Sequence, residues 1–104
     1  MGNYRKIIAV DFDGTLFEDN YPNVGAPIWW NINRAKEEQA KGACLILWTC
    51  RYGEELEKAV KACAEVGLEF EAVNENAPQV IQAWGTDQRK VFANEYWDDR
   101  AVRV

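Results

Sequence analysis

The sequence predicts an α/β protein of three layers, with a parallel sheet lying between helices. Three observations carry that reading. Ile7-Ile8-Ala9-Val10 and Ala43-Cys44-Leu45-Ile46-Leu47-Trp48-Thr49 are continuous apolar runs, the pattern of strands buried on both faces. Leu56, Ala59, Val60 and Cys63 recur at i, i+3, i+4 and i+7, the stripe of an amphipathic helix. Strand-type and helix-type segments alternate along 104 residues, the length of one domain with one core.

In chain order, the first strand is expected over Arg5 to Phe12, ending at acidic residues. Residues 13–27 hold Gly14, Pro22, Asn23, Gly25 and Pro27 and read as a long loop of turn formers. Ile28 to Lys41 reads as a helix that buries Ile28, Trp29, Ile32 and Ala35, with Gly42 as its stop. The second strand is Ala43 to Thr49. The second helix is Glu54 to Val66, with Glu54-Glu55 complementing the dipole in its first turn and Gly67 after its last. Leu68 to Val73 reads as a third strand, Gln79 to Trp84 as one or two helical turns, and Tyr96-Trp97 as a short final strand.

Composition narrows the chemistry. The chain has no His, which removes His-based proton transfer, His metal ligation and every Ser-His or Cys-His nucleophile. Catalysis is left to carboxylates, Lys, Arg, Cys, hydroxyls or a metal ion. A net charge of −5 speaks against coating nucleic acid or an anionic membrane. The acidity lies wholly in residues 53–104, which carry 6 basic and 11 acidic side chains against 6 and 6 in residues 1–52. No run approaches the roughly 20 apolar residues of a membrane span, and the first strand meets Asp11 too early for a signal peptide. Cys44, Cys50 and Cys63 form no Cys-x-x-Cys pair, so all three are expected as small buried thiols of a cytoplasmic protein.

In parallel sheets, ligands bind outside the carboxyl ends of the strands. Those ends carry Asp11-Phe12-Asp13, Thr49-Cys50-Arg51, Asn74 and Asp98-Asp99. Carboxylates at i and i+2 leave a strand on one side, and Gly14 permits a sharp turn beyond them. A carboxylate is ionised at pH 7 and can attack phosphorus with no base to activate it. Phosphate is anionic, so the attack needs cations. Asp98 and Asp99 suit Mg²⁺, an ion that takes oxygen ligands, while Lys90 and Arg51 are the candidates to neutralise the transferring group. Gly14, Thr15, Cys50, Arg51 and Asn74 are the expected substrate contacts. Tyr21 and the pair Trp29-Trp30 stand near the entrance, although aromatics at a helix start most often simply pack.

Asp11-Phe12-Asp13-Gly14-Thr15-Leu16, Leu47-Trp48-Thr49, Lys90 and Trp97-Asp98-Asp99-Arg100 resemble, in order, the four motifs of the haloacid dehalogenase (HAD) superfamily of phosphohydrolases. The resemblance runs from about residue 5 to residue 101, and the first motif is its most specific part. It implies a Rossmann-like parallel sheet and one HAD-like domain over residues 1–104. It also implies Asp11 as the nucleophile forming an aspartyl-phosphate, and Asp13 as general acid and then general base. Asp11, Asp98 and the backbone carbonyl of Asp13 would hold Mg²⁺ with Asp99 in support. Thr49 would bond the phosphoryl oxygens and Lys90 would steady their charge. Dehalogenating members lack the second acid, and the spans 14–27 and 52–89 are too short for a cap domain, so the chain resembles a capless phosphatase. Members usually continue past the acidic pair; the expectation is therefore a truncated chain or a partner, such as a second copy, that completes the sheet.

The expected substrate is a phosphorylated small molecule or the phosphorylated end of a macromolecule. Asp98-Asp99-Arg100 also resembles polynucleotide 3′-phosphatases, but the net charge and the lack of a basic stripe make nucleic acid a poor partner. A scaffold that binds phosphate without catalysis is the other alternative. A phosphoryl-receiver domain is excluded because no Asp occurs between Asp19 and Asp87. A Ca²⁺ loop is excluded because Gly14 stands at its fourth position with no Glu at the twelfth.

Overall fold

A computed structural model describes residues 5–85 and 91–99. Four strands form one parallel sheet in the order β5-β4-β1-β6, where β1 is Ile7–Val10, β4 Cys44–Leu47, β5 Ala72–Val73 and β6 Glu95–Trp97. A two-stranded antiparallel hairpin, β2 (Phe17–Asn20) and β3 (Asn23–Pro27), stands apart from it. The helices are α1 (Trp29–Ala40), α2 (Gly53–Glu65) and α3 (Pro78–Trp84). Among the described residues no helix is long and apolar enough to cross a membrane.

The two apolar runs become the two inner strands, and every residue of β1 and β4 is buried. Side chains alternate across a strand, so each run feeds both faces. Ile8, Val10, Leu45 and Leu47 join Ile32 and Ala35 of α1 and Ala59, Ala62 and Cys63 of α2 in one apolar cluster. Ile7, Ala9, Cys44 and Ile46 join Ala72, Ala77, Val80, Val91 and Ala93 in the other. A strand covered on both faces has no side to spare for polar residues, which is why neither run shows alternation.

Three elements differ from expectation. The loop expected over residues 13–27 contains the β2–β3 hairpin. Neither strand carries an alternating signal, because only Phe17 of β2 is buried. The hairpin is held instead by Phe17 stacked on Phe12 at 4.9 Å, and by Gly25, where a Cβ would stand 2.0 Å from the Glu18 carbonyl oxygen. The third strand shrinks to Ala72–Val73. Leu68 closes the end of α2 by donating its N–H to the Cys63 carbonyl, and Glu69 N–H goes to the Gln39 side chain, so the chain joins β4 only from Glu71. On α2 the buried stripe is Ala59, Ala62 and Cys63, while Val60 is exposed.

The expected packing of the entrance aromatics also fails. Trp29 is 51% and Trp30 76% exposed, because α1 turns Ile32 and Ala35, not its first turn, toward the sheet. Cys44 and Cys63 are buried as expected and burial pushes the Cys63 thiol up to about 12, but Cys50 is exposed on the turn after β4. Lys90 and Arg100 lie outside the described residues.

Candidate functional site

The site follows from register. Val10 pairs with Leu47 on one side and Trp97 on the other, and Leu47 pairs with Val73. Each ladder runs one bond past its strands: Asp11 N–H to the Trp97 carbonyl (2.9 Å), Trp48 N–H to Val10 (2.9 Å) and Asn74 N–H to Leu47 (2.8 Å). Residues just after β1, β4, β5 and β6 are thus drawn to one edge. There they line a cleft of about 850 Å³ with Asp11, Asp13, Thr49, Cys50, Arg51, Asn74 and Asp98 on its wall, joined by Asp19, Tyr21 and Trp48.

Asp11, Asp98 and Asp99 each bring a carboxylate oxygen to within 4.8 Å of the others. Asp11 is half-buried and its Oδ1 accepts the Phe12 N–H at 2.8 Å, which fixes the rotation of the carboxylate. Burial raises its pKa from 3.8 to about 6, and the charges of Asp98, Asp99 and Asp13 push the same way. Gly14 is required by its neighbour. Its φ is +83°, and a Cβ there would lie 2.3 Å from Asp99 Oδ2, so the acidic pair comes in over bare backbone. The Gly14 N–H itself is donated to the Phe17 carbonyl at 2.7 Å.

Arg51 is the most constrained residue of the site. Its side chain is 1% exposed and is paired with Asp13. Nε donates to Asp13 Oδ2 (2.8 Å) and Nη2 to Asp13 Oδ1 (2.7 Å), a two-pronged pair. Nη2 also donates to the Asn23 carbonyl (2.7 Å), and Nη1 to the carbonyls of Pro22 (3.2 Å) and Glu55 (3.3 Å). A guanidinium has five N–H groups, and all five are used. Its Cζ lies 4.8 Å from the Phe12 ring centre and 5.2 Å from that of Tyr21. Arg51 thus lines the cleft with all five donors engaged by the protein, and it ties Asp13, the hairpin tip and α2 together.

The other expected contacts divide. Thr49 stands on the cleft wall; its N–H goes to Asn74 Oδ1 (2.7 Å) and its Oγ1 accepts the Arg51 N–H (3.1 Å). Asn74, at φ +55°, thereby links the ends of β4 and β5. Thr15 is buried and lines a separate hollow of about 330 Å³ beyond the acidic pair, beside Asn31, Arg34 and Trp97, with Oγ1 left without a hydrogen-bond partner. Sequence reasoning does not single out Asp19 or Trp48. Trp48 carried one signal, since it stands one step past Leu47 as Asp11 stands one step past Val10. Asp19 carried only its place in the loop from Glu18 to Pro27, the built-in lid expected from the sequence, and it reaches the cleft through the hairpin formed there.

Fold and site together define a small α/β protein with an acidic, strand-end cleft. No protein-family model matches the chain, and no curated protein matches it. The solved structure of a conserved protein coded by a locus from Bacteroides thetaiotaomicron is 40% identical, with a TM-score of 0.81 over 95% of this chain and 79% of that one. The chain belongs to the family of that conserved protein.

Proposed function

We infer that this chain is a Mg²⁺-dependent phosphomonoesterase of the capless haloacid dehalogenase type, working through an aspartyl-phosphate on Asp11. The observation that carries the reading is the convergence of Asp11, Asp98 and Asp99 within 4.8 Å at the ends of adjacent parallel strands, with Asp13 two residues from the nucleophile. The apolar clusters on the two faces of the sheet support the three-layer architecture, and the three unpaired thiols support a cytoplasmic setting.

The donor set fits Mg²⁺. It is all oxygen, it gathers like charges that a divalent cation relieves, and Gly14 clears room for the Asp99 carboxylate. Asp11, Asp98 and Asp99 would hold the ion, which supplies charge neutralisation for the transferring phosphoryl group. Asp11 attacks phosphorus with its carboxylate, its rotation set by the Phe12 N–H. Asp13 would give the leaving oxygen a proton that it carries when substrate is bound, and would take one back from the incoming water. Both of its oxygens are engaged by Arg51, so Asp13 carries that proton only by releasing one of the two bonds, which frees one Arg51 donor for that step. Thr49, at the neighbouring strand end, would donate its hydroxyl to a phosphoryl oxygen; Lys90 is proposed to add the positive charge that Arg51 does not.

The test is hydrolysis of a generic aryl phosphate with and without Mg²⁺, for wild type and for Asp11→Asn and Asp13→Asn. Mg²⁺-dependent turnover lost in both variants is the expected result. Turnover that survives Asp11→Asn would refute the nucleophile, and no turnover by folded wild type on any phosphomonoester would refute the activity.

A further inference from the structure

The cleft has aromatic side chains among its acids. Tyr21 and Trp48 both line it, one from the hairpin tip and one from the end of β4. Tyr21 is 56% exposed, so a face of its ring is open to the cleft. Its position is nevertheless firmly held. The Tyr21 ring lies over the Arg51 guanidinium, Arg51 grips the carbonyls of the next two residues, Pro22 and Asn23, and the Tyr21 N–H goes to Asp19 Oδ1 at 3.2 Å. An exposed ring on a braced backbone is a ready-made stacking surface, because little freedom is lost when a second ring meets it. The charges point the same way. Among the described lining residues the sole cation is Arg51, whose donors are spent, whereas Asp19 adds a carboxylate beside Tyr21. At this part of the wall a second anionic centre on the leaving group would meet the Asp19 carboxylate and no unspent donor of a described cation.

We propose that the cleft is built for a phosphomonoester whose leaving group carries one flat aromatic ring system and no further negative charge, as the nucleoside of a nucleoside monophosphate does, with that ring stacked on Tyr21 and Trp48. Arg51 is a positioning residue in this arrangement: it holds the Tyr21 platform over the acids and touches no substrate atom. The proposal rests on the phosphatase reading for the phosphoryl group and adds the identity of what leaves.

The experiment is calorimetric binding in Mg²⁺ with the Asp11→Asn protein, so that nothing turns over. The probes are adenosine 5′-monophosphate, glycerol phosphate and a short oligonucleotide ending in a 3′-phosphate. The mononucleotide is expected to bind about tenfold or more tighter than glycerol phosphate, the strength of one or two ring stacks. Tyr21→Ala, a change at an exposed tip, is expected to erase most of that margin, and Tyr21→Phe to retain it. Trp48→Leu, which keeps apolar bulk where Trp48 meets the core, is expected to reduce it. Equal affinity for the two small phosphates, or a margin that survives Tyr21→Ala, would overturn the proposal while leaving the phosphatase reading intact. Tighter binding of the oligonucleotide than of the mononucleotide, weakening steeply with salt, would overturn it in favour of a strand end. Failure of every phosphate to bind in Mg²⁺ would remove the phosphatase reading and this proposal together.

Discussion

Asp11→Asn is expected to stabilise the metal-free protein while abolishing its activity. Asp11 sits half-buried among three other carboxylates, and its pKa rises from 3.8 to about 6. A carboxyl group whose pKa is raised by folding binds its proton more tightly in the native state than in the unfolded one. Its contribution to stability is therefore complete below the unfolded value near 3.8 and is lost as pH rises through about 6. Roughly two pKa units correspond to about 3 kcal/mol, and partial exposure reduces this to about 1–2 kcal/mol. Asn removes the charge yet keeps an oxygen for the Phe12 N–H, so the hydrogen bond at 2.8 Å survives. In EDTA at pH 7.5 the variant should melt about 5–10 °C above wild type. Near pH 4 the two should converge, since Asp11 is then largely protonated in the native state. Urea titrations followed by tryptophan fluorescence at four pH values between 4 and 7.5 would measure the difference. A difference that is flat with pH, or a variant less stable than wild type at pH 7.5, would refute the argument that the acid cluster opposes folding without a cation.

Mg²⁺ should reverse that order, raising the melting temperature of wild type more at pH 7.5 than at pH 5 because protons compete for the same oxygens; differential scanning fluorimetry with and without EDTA measures this. Arg51→Lys should cost about 2–3 kcal/mol, since an ammonium cannot span Asp13 and three carbonyls at once, and should hasten proteolytic cleavage near Pro22. Gly14→Ala should destabilise the chain by about 1–2 kcal/mol from the positive φ alone and weaken Mg²⁺ binding at least tenfold, as read by calorimetry, because its Cβ displaces Asp99. In an aromatic disulfide assay one thiol per chain, Cys50, should react within minutes, and the Cys50→Ser protein should show none until it unfolds.

How legible each part was depended on whether it left a one-dimensional pattern. Ile7–Val10 and Cys44–Leu47 announced themselves because strands covered on both faces need unbroken apolar runs, and the polar residues that end those runs mark the site edge. The sequence order of Asp11, Thr49, Asn74 and Asp98 translates into adjacency because all four strands run the same way. The hairpin left no such pattern, since Phe17 and Gly25 act through a ring stack and a close backbone approach, not through periodicity. Arg51 shows the other limit. Its place beside Thr49 was plain in the sequence, but whether its five N–H groups face a ligand or the protein depends on carbonyls 4 to 29 residues away.

Arg51 grips the hairpin through main-chain oxygens of Pro22 and Asn23, so that grip places no demand on which side chains stand at those positions. The tip is therefore open to sequence drift in a way the acidic edge is not. Residues 19–21 could be varied and one cleft wall rewritten with the nucleophile and the main-chain grip of Arg51 kept, at the cost of the ring over Arg51 and the Asp19 bond to the Tyr21 N–H. A library randomised at those three codons would sample new substrate preferences on a constant catalytic base, and the same freedom offers descendants of this chain a short route to divergent specificities.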